Sequence, residues 1–166
     1  MQDYVLTELW DAEKLAIVSC LPRVGRQAYK SLAFSPDGKL FARGWTEGEN
    51  HYTQKGAITI WNRETFDQVL VLNAGSDDPD VLQFTNDGKL LICCTGSMSM
   101  TNGETIFAKL LVWNVQSGKL VHKFQPYLSG ETIFALSADD RWIATRGDDD
   151  NCCLWDLQKI RREIGE

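Results

Sequence analysis

The chain has 166 residues, 43% hydrophobic and 24% charged, which is enough for one domain with a core and too apolar for a disordered tail. Its net charge of −6 opposes nucleic-acid phosphates, and no run of about 20 apolar residues offers a membrane span. Nucleic acid and membrane are therefore not expected partners.

In chain order, the first 21 residues mix Asp3, Glu8, Asp11 and Glu13 among apolar residues without a basic flank, which argues against a secretory signal. Strands are then expected at 31–35 and 40–44 on either side of Asp37-Gly38, followed by strands at 57–61 and 68–72. The pattern returns at 81–85 and 90–94 around Asp87-Gly88, and continues at 110–115 and 120–124. It returns once more at 133–137, 142–146 and 152–157. Asp and Gly tolerate the positive φ of tight turns, and apolar runs of about five residues suit strands. No segment keeps a 3.6 period long enough for a major helix.

Two landmarks recur in the same order. One is Phe34-Ser35-Pro36-Asp37-Gly38-Lys39-Leu40, Phe84-Thr85-Asn86-Asp87-Gly88-Lys89-Leu90 and Leu136-Ser137-Ala138-Asp139-Asp140-Arg141-Trp142. The other is Ile60-Trp61-Asn62, Val112-Trp113-Asn114 and Leu154-Trp155-Asp156, with an early copy at Leu9-Trp10-Asp11. Their spacing of roughly 40–50 residues marks a repeat architecture. With 147–157 as its closest match, the chain resembles the WD-repeat β-propeller family over essentially its whole length. It departs at Asn62 and Asn114 and lacks the family's Gly-His pair, its histidines being His51 and His122. The ending from Trp155 to Ile164 looks like the terminal stretch of some large bacterial WD-repeat proteins.

The resemblance implies an all-β partial propeller with strands a to d running from inside to outside in each blade. Residues 1–24 form a c–d hairpin, 25–73 blade one, 74–125 blade two, 126–157 a third blade lacking its outer strand, and 158–166 a basic, helix-like tail. A propeller ring takes typically about 4–8 four-stranded blades. Three leave apolar faces and strand edges open. Completion is expected from a homo-oligomer, most simply a two-fold dimer in which residues 4–9 and 14–21 meet a neighbour's last blade. A complementing propeller fragment, or a longer chain, is the alternative.

Five cysteines, two pairs of them adjacent, fit a reducing cytoplasm better than disulfides. In a strand, Cys93-Cys94 and Cys152-Cys153 would put one thiol on each face, so buried thiols outweigh a metal site. No nucleophile elbow, phosphate loop or zinc-protease motif occurs. His51 in a polar loop and His122 in an outer strand read as solvated or partly covered side chains. No cofactor is expected, and the protein is read as non-enzymatic. A hydrolase or lyase using the central propeller face is the competing class.

The binding reading rests on two long b–c connections, 45–56 and 95–109, which the family places on the rim shared with the d–a loops. They supply Trp45, His51 and Tyr52, and Met98, Met100, Ile106 and Phe107. The opposing reading is that Ile106 and Phe107 merely extend the hairpin. The same rim would gather Glu47, Glu49, Asp77, Asp78, Asp80, Glu104, Asp148, Asp149 and Asp150, against Lys55 and Lys109. A protein surface or basic peptide is the expected partner. A merely solvated acidic face is the alternative, and calcium at 148–150 is the weaker one, because hard cations need about six to eight oxygens.

Overall fold

The computed structural model describes residues 7–21, 29–48, 55–75, 78–96, 98–99, 105–125, 133–146 and 152–165. A hairpin of β1 (Thr7–Asp11) and β2 (Ala16–Leu21) comes first. β3 (Tyr29–Phe34), β4 (Leu40–Glu47), β5 (Lys55–Asn62) and β6 (Gln68–Gly75) form an antiparallel meander in that order. β7 (Pro79–Phe84), β8 (Leu90–Thr95), β11 (Leu110–Asn114) and β12 (Leu120–Phe124) repeat it. Between β8 and β11 lies a two-residue ladder of β9 (Met98–Ser99) and β10 (Thr105–Ile106). β13 (Ile133–Leu136), β14 (Trp142–Arg146) and β15 (Cys152–Asp156) make a three-stranded sheet, followed by helix α1 (Leu157–Glu163). The expected all-antiparallel blades are present, and among the described residues they do not close into a ring.

The recurring hydroxyl and carboxylate build the same a–b turn three times. The Ser35 hydroxyl donates to Asp37 at 2.6 Å and accepts from the Leu40 N–H at 2.9 Å. Asp37 in turn accepts from the Lys39 N–H at 3.0 Å. Thr85 with Asp87, and Ser137 with Asp139, repeat these bonds. The turn needs a left-handed residue next, supplied by Gly38 (φ 67°) and Gly88 (φ 70°). In the third blade Asp140 takes that conformation at φ 54°.

The residue after each tryptophan also has one job. Asp11, Asn62, Asn114 and Asp156 each accept backbone N–H bonds from residues two or three positions on. Asn serves as well as Asp because only a side-chain oxygen is used. The fourth residue on sets the direction of the chain. Leu15 (φ 51°), Phe66 (φ 60°) and Gly118 (φ 66°) are left-handed and turn it into the next strand. At that place after Asp156 stands Ile160, a β-branched residue for which positive φ is strained. The chain stays right-handed, Asp156 becomes a helix N-cap, and α1 forms where the other blades send their outer strand.

The core lies between sheets. Ile58, Ile60 and Leu72 of the first blade pack on Phe84, Leu91 and Trp113 of the second. Leu90, Ile92 and Val112 on the second blade's other face pack on Ile143 and, from α1, Leu157 and Ile160. Phe41 and Trp61 on the first blade's outer face meet Leu21 and Leu9 of the hairpin. Gly44 marks a tight junction between blades one and two, since a Cβ there would collide with the Ser31 hydroxyl and come within 2.7 Å of the Pro79 carbonyl. Phe34, whose motif matches that of the buried Phe84, is 51% exposed. It shares the hairpin-facing side with Phe41, and the hairpin covers the outer part of that side, leaving β3 bare.

Candidate interaction surface

The b–c and d–a connections meet at one end of the blades. The Gly96 N–H, just past β8, donates to the Asp78 carbonyl at 3.0 Å, and Pro79 stands opposite Thr95 in the ladder. The second insertion is closed at its base, where the Thr95 N–H donates to the Lys109 carbonyl and the Lys109 N–H to the Thr95 hydroxyl, both at 2.9 Å. Asp80 lies so close to Gly96 that a Cβ there would have to push its carboxylate aside. In the first blade, Glu47 faces Lys55 across the β4–β5 ladder at the same end.

Trp45 is half-buried, and its indole N–H donates to the Thr59 hydroxyl at 2.9 Å across β4 and β5. Glu47 is exposed. Met98 contributes its backbone to β9, opposite Ile106 of β10, so part of the second insertion is hairpin. Glu49, His51, Tyr52, Met100, Glu104, Asp148, Asp149 and Asp150 lie outside the described residues, as does Asp77. Of the expected rim residues, Asp78 meets Gly96 through its backbone carbonyl and Asp80 through its carboxylate, while Glu47 stands apart on β4.

The cysteine pair divides as its strand position requires. Cys93 joins the core shared with the first blade and Cys94 the core shared with the third. Burial, with the negative charge of Asp80 added, pushes the Cys94 thiol up to about 12. A thiol held so firmly protonated is neither nucleophile nor ready metal ligand. Among the described residues no group of three or more His, Cys, Asp or Glu side chains is placed to hold a metal. His122 lies on β12 with its ring 4.2 Å from Phe124 and its Nδ1 4.0 Å from a Glu163 oxygen.

Sequence reasoning missed three arrangements. The a–b turns of blades two and three are tied together, with Asn86 donating to Asp140 and to the Ala138 carbonyl at 3.0 Å each, and Arg161 of α1 closing on Asp87 at 2.7 Å. The only signal for it in the sequence is the odd Asp140 where the other turns have glycine. Arg43 is fully buried, donates to Thr7 at 2.8 Å and stacks 4.7 Å from the Trp61 ring. Its register position is that of Thr145, which accepts the Trp155 indole N–H at 3.1 Å. A cleft of about 380 Å³ between β6 and the β11–β12 pair is lined by Asn73, Lys109 and Lys123.

Residues 118–156 match the family described as WD domain, G-beta repeat. That span runs from the turn before β12 to the last residue of β15, one outer strand followed by three strands of the next blade. No curated protein matches the chain. The matched repeat, together with two preceding sheets that reproduce its turn and tryptophan chemistry, supports a WD-repeat family for this chain.

Proposed function

We propose that the protein is a non-enzymatic interaction or scaffold module that captures a basic peptide or protein surface on the rim carrying the b–c and d–a connections. The observation that carries this is the bond between Gly96 and Asp78, which fastens a long insertion to the neighbouring connection on a stack of well-packed blades. Such a scaffold presents loops at low ordering cost. The exposed Glu47 and the half-buried Asp78 and Asp80 give the described part of that rim its acidic character, in keeping with the overall charge of −6. Self-association, or pairing with a complementing propeller piece, completes the reading, and buried free thiols accord with a reducing cytoplasm.

The test is fluorescence anisotropy of a labelled lysine-rich peptide, with a glutamate-rich peptide of equal length as control. Affinity for the basic peptide should fall as salt rises. It should drop further when Asp148, Asp149 and Asp150 are all replaced by Asn. Equal affinity for both peptides, or no change on the triple substitution, overturns the rim assignment.

A further inference from the structure

The cleft of about 380 Å³ between β6 of blade one and the β11–β12 pair of blade two departs from the acidic character of the molecule. Its floor is apolar: Ala74 and Leu111 are buried, and Leu120 is 47% exposed. Lys109 and Lys123 line it from blade two, and Asn73 from blade one. The Asn73 side-chain oxygen accepts from the Gly75 N–H at 2.7 Å, which leaves its NH2 to offer a ligand. The polar side chains of the cleft therefore present donors, and two of them are cationic in a molecule of net charge −6.

Blade folding does not ask for these lysines. Leu110 stands between Cys94 and Phe124 in blade two as Ile58 stands between Gly44 and Leu72 in blade one. Counted from that pair, Lys109 takes the place of Ala57. Lys123, opposite Leu111, takes the place of Val71, opposite Thr59. Blade one builds the same four-stranded sheet with a buried alanine and a half-exposed valine there. Two ammonium groups lining one cleft repel each other, and an anion bound between them relieves that repulsion.

The cleft adjoins the rim. Thr95 is bonded twice to Lys109 at 2.9 Å, and the next residue, Gly96, donates to the Asp78 carbonyl. Gly75, at the end of β6, leads into the same d–a connection. We infer that the cleft takes a glutamate side chain from the partner segment whose basic residues meet the acidic rim. Its carboxylate accepts from both ammonium groups and from Asn73, and its methylenes cover Leu111 and Leu120. The partner is thus a segment of mixed charge, with an acidic residue beside a basic run. This rests on the rim reading for where the segment lies, whereas the chemistry of the cleft follows from its own lining.

The experiment is fluorescence anisotropy with the labelled lysine-rich peptide and two further sets, in which one glutamate or one phosphoserine is moved through its sequence. At one position glutamate should raise affinity about fivefold, although it lowers the positive charge of the peptide, and elsewhere it should weaken binding. Lys109→Ala with Lys123→Val, which copies blade one, should keep the parent's melt, bind the lysine-rich peptide at least as well, and lose the gain. Lys123→Glu, at an exposed position, should lose it too, and serves if the double variant does not melt cooperatively. No gain from glutamate at any position, a gain that survives these substitutions, or a gain from phosphoserine alone overturns the glutamate site. If the lysine-rich peptide does not bind at all, the rim reading fails by itself. The cleft is then judged on the NMR signals of isotope-labelled methyl groups placed on Lys109 and Lys123 by reductive methylation. A short glutamate peptide at millimolar concentration should shift both signals together, and signals that do not move overturn the site.

Discussion

The Arg161 guanidinium lies 2.7 Å from the Asp87 carboxylate, joining α1 to a turn 74 residues earlier in the chain. Its other terminal nitrogen is 4.0 Å from Asp140. Arg161 is buried and Asp87 is about one-third exposed, so the pair is only partly shielded from water. Replacing Arg161 by Ala should lower stability by about 2–3 kcal/mol, below the range for a fully buried pair because Asp87 stays partly hydrated. Denaturant melts of Arg161→Ala, Asp87→Ala and the double variant should give a coupling energy of at least about 1 kcal/mol. Additive losses would show that α1 is held by Leu157 and Ile160 alone.

The same pair sets an acid limit. Burial would raise the Asp87 carboxyl, but the Arg161 bond, the Thr85 hydroxyl and the Lys89 N–H outweigh it and hold the group at about 2. A carboxyl depressed in the folded state stabilises above its unfolded pKa, and that stability is lost as pH falls through the folded value. Stability should therefore decline by about 1 kcal/mol between pH 4 and pH 2 from this group, after allowing for solvent screening. Asp87→Asn should flatten that part of the profile, as read from urea midpoints across the range.

What was legible in the sequence was local. Ser35, Thr85 and Ser137 announce their turns because the hydroxyl, the carboxylate and the left-handed residue act within a few positions of one another. The tryptophan landmarks are readable for the same reason, each followed by a carboxylate or amide that bonds the next turn. Phe34 misleads because its local motif matches Phe84, while its exposure depends on how far a hairpin from another part of the chain reaches. Arg43 and Arg161 are invisible for the same cause: Thr7 and Asp87, their partners, lie 36 and 74 positions away. On the rim, Trp45 stands out in the sequence for its aromatic surface, and the structure engages its indole with Thr59.

Asp140 combines an uncommon backbone with a structural task. Replacing it by Gly removes a left-handed strain of about 1 kcal/mol. It also removes the acceptor of the Asn86 amide and of the Asp87 N–H, bonds to a charged group contributing about 1.5 kcal/mol or more each. The losses exceed the gain, and Asp140→Gly should be destabilising by about 2 kcal/mol. Thermal denaturation of Asp140→Gly beside Asp140→Asn, which keeps an acceptor oxygen, would check the balance. A more stable Gly variant would mean that the turn strain outweighs the inter-blade bonds.

Thiol reactivity should sort by burial. Cys20 and Cys152 are exposed, Cys153 is half-covered, and Cys93 and Cys94 are buried. At neutral pH, Cys20 and Cys152 should react quickly with an aromatic disulfide reagent, and Cys153 more slowly. Cys94, held at about 12, and Cys93 should react only on unfolding. Mass mapping of the modified peptides reads the order directly. Labelling of Cys94 in the folded chain would mean that blades two and three separate readily.

Arg43 offers the clearest contest between burying a charge and losing its partner. Its guanidinium stacks on Trp61 and donates to Thr7, fixing the hairpin to blade one. Met is close in volume and keeps apolar contact with the ring, so Arg43→Met should change the stability of the blades by less than about 1.5 kcal/mol. Thr7→Val deletes only the acceptor and leaves a buried charged donor one bond short, which should cost about 2 kcal/mol. The smaller substitution should thus do more harm. Both variants loosen the hairpin, so trypsin should cut faster after the exposed Lys14 in its turn. Melts that rank Arg43→Met as the worse variant would show that the charge itself, through its other contacts, holds the first blade together.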